Sequence, residues 1–272
     1  MTARAPDRFD IGRIAGAREE VAVALEVVDL KMHFGGVHAV DGASFEVAEG
    51  VITGLIGPNG AGKSTVIDVI SGFLKPTAGN VIYRDADIAA WPADRVAGAG
   101  MVRTFQLSSE FPRLSVMENL LTAMPALRGS TLAGALRGPR HWRRAEADAV
   151  ARGYGLLERF GLEGRADEYA GELSGGQKRL LEIARAVAAG PRVLLLDEPF
   201  AGVNPTLARE VESALAALRA DGLTMVLVEH DMGAIERLCE DVIVMADGRV
   251  IARGTMAEIA ANHEVADAYL GS

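Results

Sequence analysis

Cysteine is almost missing: the 272 residues contain one, Cys239. A lone thiol excludes an internal disulfide and suits a reducing compartment. In the helix-like run GAIERLCED it reads as a small buried apolar side chain. Long hydrophobic runs are missing too. A charge, glycine or proline breaks each apolar stretch before the ~18 residues that cross a bilayer. Residues 1–22 mix both charge signs without the continuous apolar centre of a secretory leader, and are read as a flexible N-terminal extension. Positive charge is in deficit. With 28 Lys and Arg against 37 Asp and Glu the net charge is −9, which argues against a nucleic-acid groove. An anionic ligand therefore has to be held by local geometry.

What is present is a core-forming composition, 49% hydrophobic, enough for one large domain or two small ones. Val23 to Val47 alternates apolar runs with turn residues, and VITGLIG follows as a short strand. KSTVIDVISGF then has helical spacing and KPTAGNVIYRD reads as a turn entering a strand. From about Leu107 to Gly190, SVMENLLTAMPALRG, RRAEADAVARGYGLLERFGL and QKRLLEIARAVAAG carry three-to-four-residue apolar spacing, a helical block. RVLLLDEP and LTMVLVEHD, with helical VESALAALRADG between them, predict a parallel sheet with a crossover helix. DVIVMADGRVIARG reads as a hairpin around Asp247-Gly248, and short helices close the chain.

GPNGAGKST, comprising Gly57, Pro58, Asn59, Gly60, Ala61, Gly62, Lys63, Ser64 and Thr65, fits G-x-x-x-x-G-K-[ST] between a strand and a helix. Glycines there let successive backbone N–H groups face one concavity at a helix N-terminus, where phosphate oxygens are favoured. Lys63 adds a full charge, and Ser64 is placed to hold Mg²⁺, which takes oxygen ligands. In VLLLDEP the strand delivers Asp197 and Glu198 at its carboxyl end, the edge where open parallel sheets bind ligands. Asp197 suits Mg²⁺, directly or through a water, and Glu198 suits polarising an attacking water. On its own such a run is equally a solvated turn. His230 ends the next core strand and is a γ-phosphate candidate, although a lone histidine there more often caps or packs. Gln106, in VRTFQ, ends a strand where its amide would reach the metal or the water, yet a glutamine alone carries little signal.

A second glycine loop, LSGGQ, opens the run LLEIARAVA. GPNGAGKST, Gln106, LSGGQ, LLLDEP and His230, in that order, resemble the ATP-binding-cassette (ABC) ATPases from about Ala24 to the end of the chain. The resemblance implies an α/β fold: a P-loop NTPase (RecA-like) core with an N-terminal antiparallel β subdomain and an inserted α-helical subdomain. The expected division is 23–106 and 187–272 for the core, with its C-terminal helices, and 107–186 for the helical signature subdomain. In this family LSGGQ contacts ATP bound to a different cassette, so Ser174, Gly175, Gly176 and Gln177 are assigned to the partner's nucleotide, with Asn204 of AGVNP as a further contact across the dimer. Phe34 matches the aromatic that stacks on adenine, though a core aromatic is an equal reading. FGGVHAVDGASFEV, VRTFQ, FAGVNP, VEHDM and terminal AYLG look closest to the cassettes of branched-chain amino-acid importers.

That resemblance implies ATP and Mg²⁺ as cofactors, a second ABC subunit, two transmembrane permease subunits, and an extracytoplasmic solute-binding protein acting indirectly. No nucleic acid is implied, and the place is the cytoplasmic face of the inner membrane. An exporter or lipopolysaccharide-type cassette shares FPRLSVMENL. A soluble ABC ATPase acting on DNA or ribosomes usually has two cassettes or a long coiled-coil insertion, and neither is here. A GTPase switch would need an N-K-x-D run, which is absent. The cluster Arg137, Arg140, His141, Trp142, Arg143 and Arg144 reads first as a solvated helix face, with anionic headgroups or a permease loop as the alternative.

Overall fold

In a computed structural model, the structure describes residues 22–104, 111–125 and 139–270, with the backbone alone for 139–144. An antiparallel sheet holds β1 (Val23–Phe34), β2 (Val37–Ala48), β4 (Ala78–Tyr83) and β5 (Ala86–Asp87), in the order β2-β1-β4-β5. A larger sheet is built from β3 (Ile52–Ile56), β6 (Met101–Arg103), β7 (Val193–Asp197), β8 (Thr224–Val228), β9 (Asp241–Ala246) and β10 (Arg249–Gly254). Its order is β10-β9-β3-β8-β7-β6; all neighbours are parallel except β10, which turns back along β9. Asp247 and Gly248 at that turn both have positive φ, 48° and 75°, which a tight two-residue hairpin demands.

The central strands bury every residue, which explains their continuous apolar sequences. Successive side chains go to opposite faces. Leu194, Leu196, Met225, Leu227, Val242 and Val244 join one core, and Val193, Leu195, Val226, Val228, Ile243 and Met245 join the other. The second core also takes in the antiparallel sheet and α1 (Lys63–Ile70), while α2 (Ala93–Gly98) adds Val96. The first core covers α3 (Val116–Ala123), α4 (Pro139–Arg159), α5 (Gly175–Ala188), α6 (Pro205–Ala220) and α7 (Met232–Leu238). Each such Leu, Ile or Val contributes about 1.5–3 kcal/mol by leaving water. The chain closes with α8 (Met256–Ala260) and α9 (His263–Leu270).

Local sequence sets the helix starts. Ser115 with Glu118, Ser174 with Gln177, and Thr255 with Glu258 form reciprocal capping boxes, and Asn204 caps α6 ahead of Pro205. Cys239 follows α7 and lies against Gly54 of β3, where burial, with Glu240 and Asp241 adding to it, pushes its thiol up to about 12. Among the described residues no helix is long and apolar enough to cross a membrane. The side chains of Arg137, Arg140, His141, Trp142, Arg143 and Arg144 lie outside the described residues.

Candidate active site

The loop from Gly57 to Gly62 joins β3 to α1 and is shaped by what surrounds its glycines. A Cβ on Gly57 (φ 149°) would lie 2.1 Å from the Met245 carbonyl oxygen, and one on Gly62 (φ 96°) 2.3 Å from that of Ala39. Neither position admits a side chain. Gly60 (φ 81°) has open space around it, so its backbone angle alone makes the demand. The floor of the loop is backbone: Gly248 N–H donates to the Ala61 oxygen at 3.2 Å, and Asp41 N–H to the Gly248 oxygen at 2.9 Å. Gly62 precedes α1 and makes no side-chain cap, a helix start that suits an anionic acceptor. Asn59, Gly60 and Ser64 are exposed, and Pro58 and Thr65 half-buried.

Lys63 is buried and donates to the carbonyls of Gly57 at 2.7 Å and Pro58 at 2.9 Å. Burial moves its ammonium pKa down, while the charges of Glu198 and Asp197 pull it back up. The lysine, the loop and the two acids therefore share one electrostatic neighbourhood.

Two consecutive acids at the end of β7 meet different surroundings. Asp197 is buried; its Oδ2 accepts from Arg103 Nη2 at 2.9 Å, and its Oδ1 is buried with no hydrogen-bond partner among the described residues. Arg103, on β6, also pairs with Asp68 of α1, tying the helix behind the loop 57–62 to this strand end. Glu198 leaves the strand with φ 49°, in the left-handed region that costs an L residue roughly 1–2 kcal/mol. Its N–H donates to the Val228 oxygen at 2.9 Å, and its Oε1 lies 2.9 Å from His230 Nε2. His230 and Glu198, chosen separately from sequence, thus form one pair. Gln106 lies outside the described residues.

Glu229 is buried beside them. Its Oε1 accepts from Phe200 N–H at 2.8 Å and its Oε2 from His230 N–H at 3.0 Å, joining the turns after β7 and β8. Burial raises its pKa, and the nearby charge of Glu198 adds to the rise. Phe34 ends β1 and is 48% exposed, which removes the core-aromatic reading. Nearby, His33 and His38 stack at 3.9 Å between ring centroids, and Asp41 is held by Arg249 at 2.6 Å.

The second glycine loop opens α5. Ser174 Oγ accepts from Gln177 N–H at 3.4 Å, and Gln177 Oε1 accepts from Ser174 N–H at 3.0 Å. Ser174 and Gly175 are exposed, and a Cβ on Gly175 would meet no atom within 4 Å. One on Gly176 would lie 1.5 Å from Leu207 Cδ2 on α6. Among the described residues, no hydrogen bond or ion pair joins residues 174–177 to the loop 57–65. Asn204 Oδ1 accepts from Leu207 N–H at 3.1 Å, so this candidate contact is also the α6 cap.

Further along α5, Arg179 is buried and its guanidinium reaches the end of β7. It donates from Nη2 to the oxygens of Asp197 at 2.9 Å and Glu198 at 2.7 Å, and from Nε to that of Pro199 at 3.1 Å. Its Nη1 donates to Glu182 Oε2 at 2.6 Å, one turn on.

Residues 40–201 match the family model described as ABC transporter, and residues 249–272 match one described as branched-chain amino acid ATP-binding cassette transporter. The chain belongs to the ABC transporter family. This cassette is 41% identical over 249 residues to the high-affinity branched-chain amino acid transport ATP-binding protein LivG of Escherichia coli K12, covering 91% of this chain and 97% of that one. To BraF of Pseudomonas aeruginosa, a protein of the same description, identity is 40% with the same coverage. A solved nucleotide-free ATP-binding cassette from an ABC transporter superposes with TM-score 0.79 at 34% identity, over 92% of this chain and all of that one. A cassette in its ADP conformation gives TM-score 0.79 at 33% identity, with the same coverage. The fold and the ATPase class expected from the motifs are those of the family.

Four residues around the ends of β7 and β8 were not singled out by the sequence. Arg103 breaks the apolar run of a strand, a faint signal in VRTFQ, and Glu229 stands directly before His230. Arg179 and Glu182 put opposite charges three apart among the buried positions of α5. That pattern marks a helix side bearing polar contacts, yet nothing in it names the partner segment.

Proposed function

We propose that this ATPase powers uptake of branched-chain amino acids or related small polar solutes. It works as one of two cassettes at the cytoplasmic face of the inner membrane, docked on two permease subunits and served indirectly by an extracytoplasmic solute-binding protein. The C-terminal match at 249–272 and the names of the 40–41% identical relatives support import over the exporter alternative. The permeases supply the membrane spans, since no described helix of this chain crosses.

In this reading the loop Gly57–Thr65 holds the phosphates, Lys63 neutralises their charge, and Phe34 stacks on adenine. Residues 107–186 form the helical signature subdomain, and 23–106 with 187–272 the core. Water attacks the γ-phosphorus while Glu198 takes its proton; the bond from phosphorus to the bridging oxygen breaks, giving ADP and phosphate. His230, paired with Glu198, faces the γ-phosphate and holds the carboxylate's direction. The buried, unpartnered Oδ1 of Asp197 and the hydroxyl of Ser64 suit a hard cation, with Gln106 as a further ligand. When bound, Mg²⁺ supplies charge neutralisation at the β- and γ-phosphates.

The single observation carrying the paired arrangement is the exposed start of α5, whose Ser174 and Gly175 have no link to their own chain's loop. A twofold pair of cassettes brings Ser174, Gly175, Gly176, Gln177 and Asn204 to the partner's nucleotide, twice. Glu198→Gln tests this: with MgATP it is expected to elute as a dimer in gel filtration and to hydrolyse at least a hundred-fold more slowly. A monomer at saturating MgATP, or near-normal turnover, would overturn the reading.

A further inference from the structure

We infer that Arg179 is a positioning residue for hydrolysis in its own chain, although it stands on the helix whose start serves the partner's nucleotide. This rests on the paired-cassette reading above. The left-handed angle of Glu198 has to be held by its neighbours, because the residue gains nothing from it locally. Its N–H is tied to Val228, and its carbonyl closes a turn by accepting Ala201 N–H at 3.1 Å. Arg179 supplies the rest: one planar guanidinium holds three successive carbonyl oxygens, those of Asp197, Glu198 and Pro199. Those carbonyls fix the peptide planes on both sides of Glu198, and the planes set the direction of its Cα–Cβ bond.

The clamp is built. Arg179 and Glu182 are both buried, and their ion pair fixes the side chain from which the guanidinium reaches β7. A lysine offers a point charge and cannot span three carbonyls in one plane. Ser174 caps the helix that carries Arg179, five residues before it. The residue that meets the partner's ATP and the one that aims this chain's own base are therefore mechanically one piece.

Mixed dimers decide whether Arg179 acts in its own chain. A Lys63→Ala chain mixed with a Ser174→Arg chain keeps one complete site: the loop, Asp197 and Glu198 of the Ser174→Arg chain, and the signature of the Lys63→Ala chain. Adding Arg179→Gln to the Ser174→Arg chain is expected to lower kcat at least ten-fold with the KM for ATP within two-fold. Adding it to the Lys63→Ala chain is expected to leave the rate within two-fold, because that chain's own Glu198 is idle. Equal loss from both placements, or loss only from the second, overturns the inference and makes Arg179 a prop for the signature. If the reference mixture is dimeric but inactive, the shared-site reading fails instead. Arg179 then stands or falls on the plain homodimer, where Arg179→Gln must lower kcat without raising the KM. Should Arg179→Gln not fold, Glu182→Gln loosens the same guanidinium and must give the same placement dependence, with a smaller loss. Arg179→Lys is expected to recover only part of the rate.

Discussion

Alanine at the two signature glycines separates what this chain needs from what its partner needs. At Gly175 an added methyl meets no atom within 4 Å, and the residue opens α5 with ordinary helical φ. Its own fold is therefore unharmed, and the gain in helix propensity is at most about 1 kcal/mol. At Gly176 the methyl would sit 1.5 Å from Leu207 Cδ2, far inside contact distance, so the leucine must swing away from the first core. Repacking of that kind costs about 1–3 kcal/mol. A chain of this size shifts its melting temperature by roughly 2–4 °C per kcal/mol, so Gly176→Ala should melt about 2–12 °C lower and Gly175→Ala no lower than the parent. ATPase assays then turn the order around: Gly175→Ala is expected to lose at least ten-fold in kcat although its monomer is intact, because in the proposed paired arrangement its methyl stands where the partner's nucleotide docks. Gly176→Ala combined with Leu207→Ala should be more stable than the sum of the two single losses. Full activity of a dimeric Gly175→Ala chain would refute the assignment of that surface to nucleotide. Unchanged melting of Gly176→Ala would refute the steric argument.

Two further outcomes come from titratable groups. Cys239, with its thiol at about 12 against an ordinary 9.0, keeps only about one thiolate in ten thousand at pH 8, so Ellman's reagent should label it only after unfolding. Glu229 holds its proton more tightly in the folded chain than in the unfolded one. Between the ordinary value of 4.5 and the raised one, the native state binds more protons, so stability falls as pH rises through that window. Urea midpoints measured from pH 4.5 upward should show this slope, and Glu229→Gln should flatten it.

The glycine loop between β3 and α1 and the strand before it were legible because glycine spacing and a continuous apolar run are local signals. The hairpin at Asp247-Gly248 was legible for the same reason. The α5 cap shows how far a local signal goes: Ser174 and Gln177 announce the helix start, but not that Gly176 touches Leu207, thirty-one positions on. Glu198 was recognisable as an acid after a strand, while its left-handed backbone is imposed by Val228 and Arg179, which reach it from distant segments. Phe34 needed the fold as well, since a core aromatic and an exposed one have the same letter and only the end of β1 tells them apart.

The second strand of Phe34's hairpin also forms part of the floor of the glycine loop, because the Ala39 carbonyl is what forbids a side chain at Gly62. Phe34 and Ala39 sit on the two arms of one hairpin, where Phe34 pairs with Val37 and the chain reverses at Gly35 and Gly36. In the proposed reading one short hairpin carries both the base contact and the backbone floor of the phosphate anchor, so a displacement of the hairpin is felt at both ends of the nucleotide.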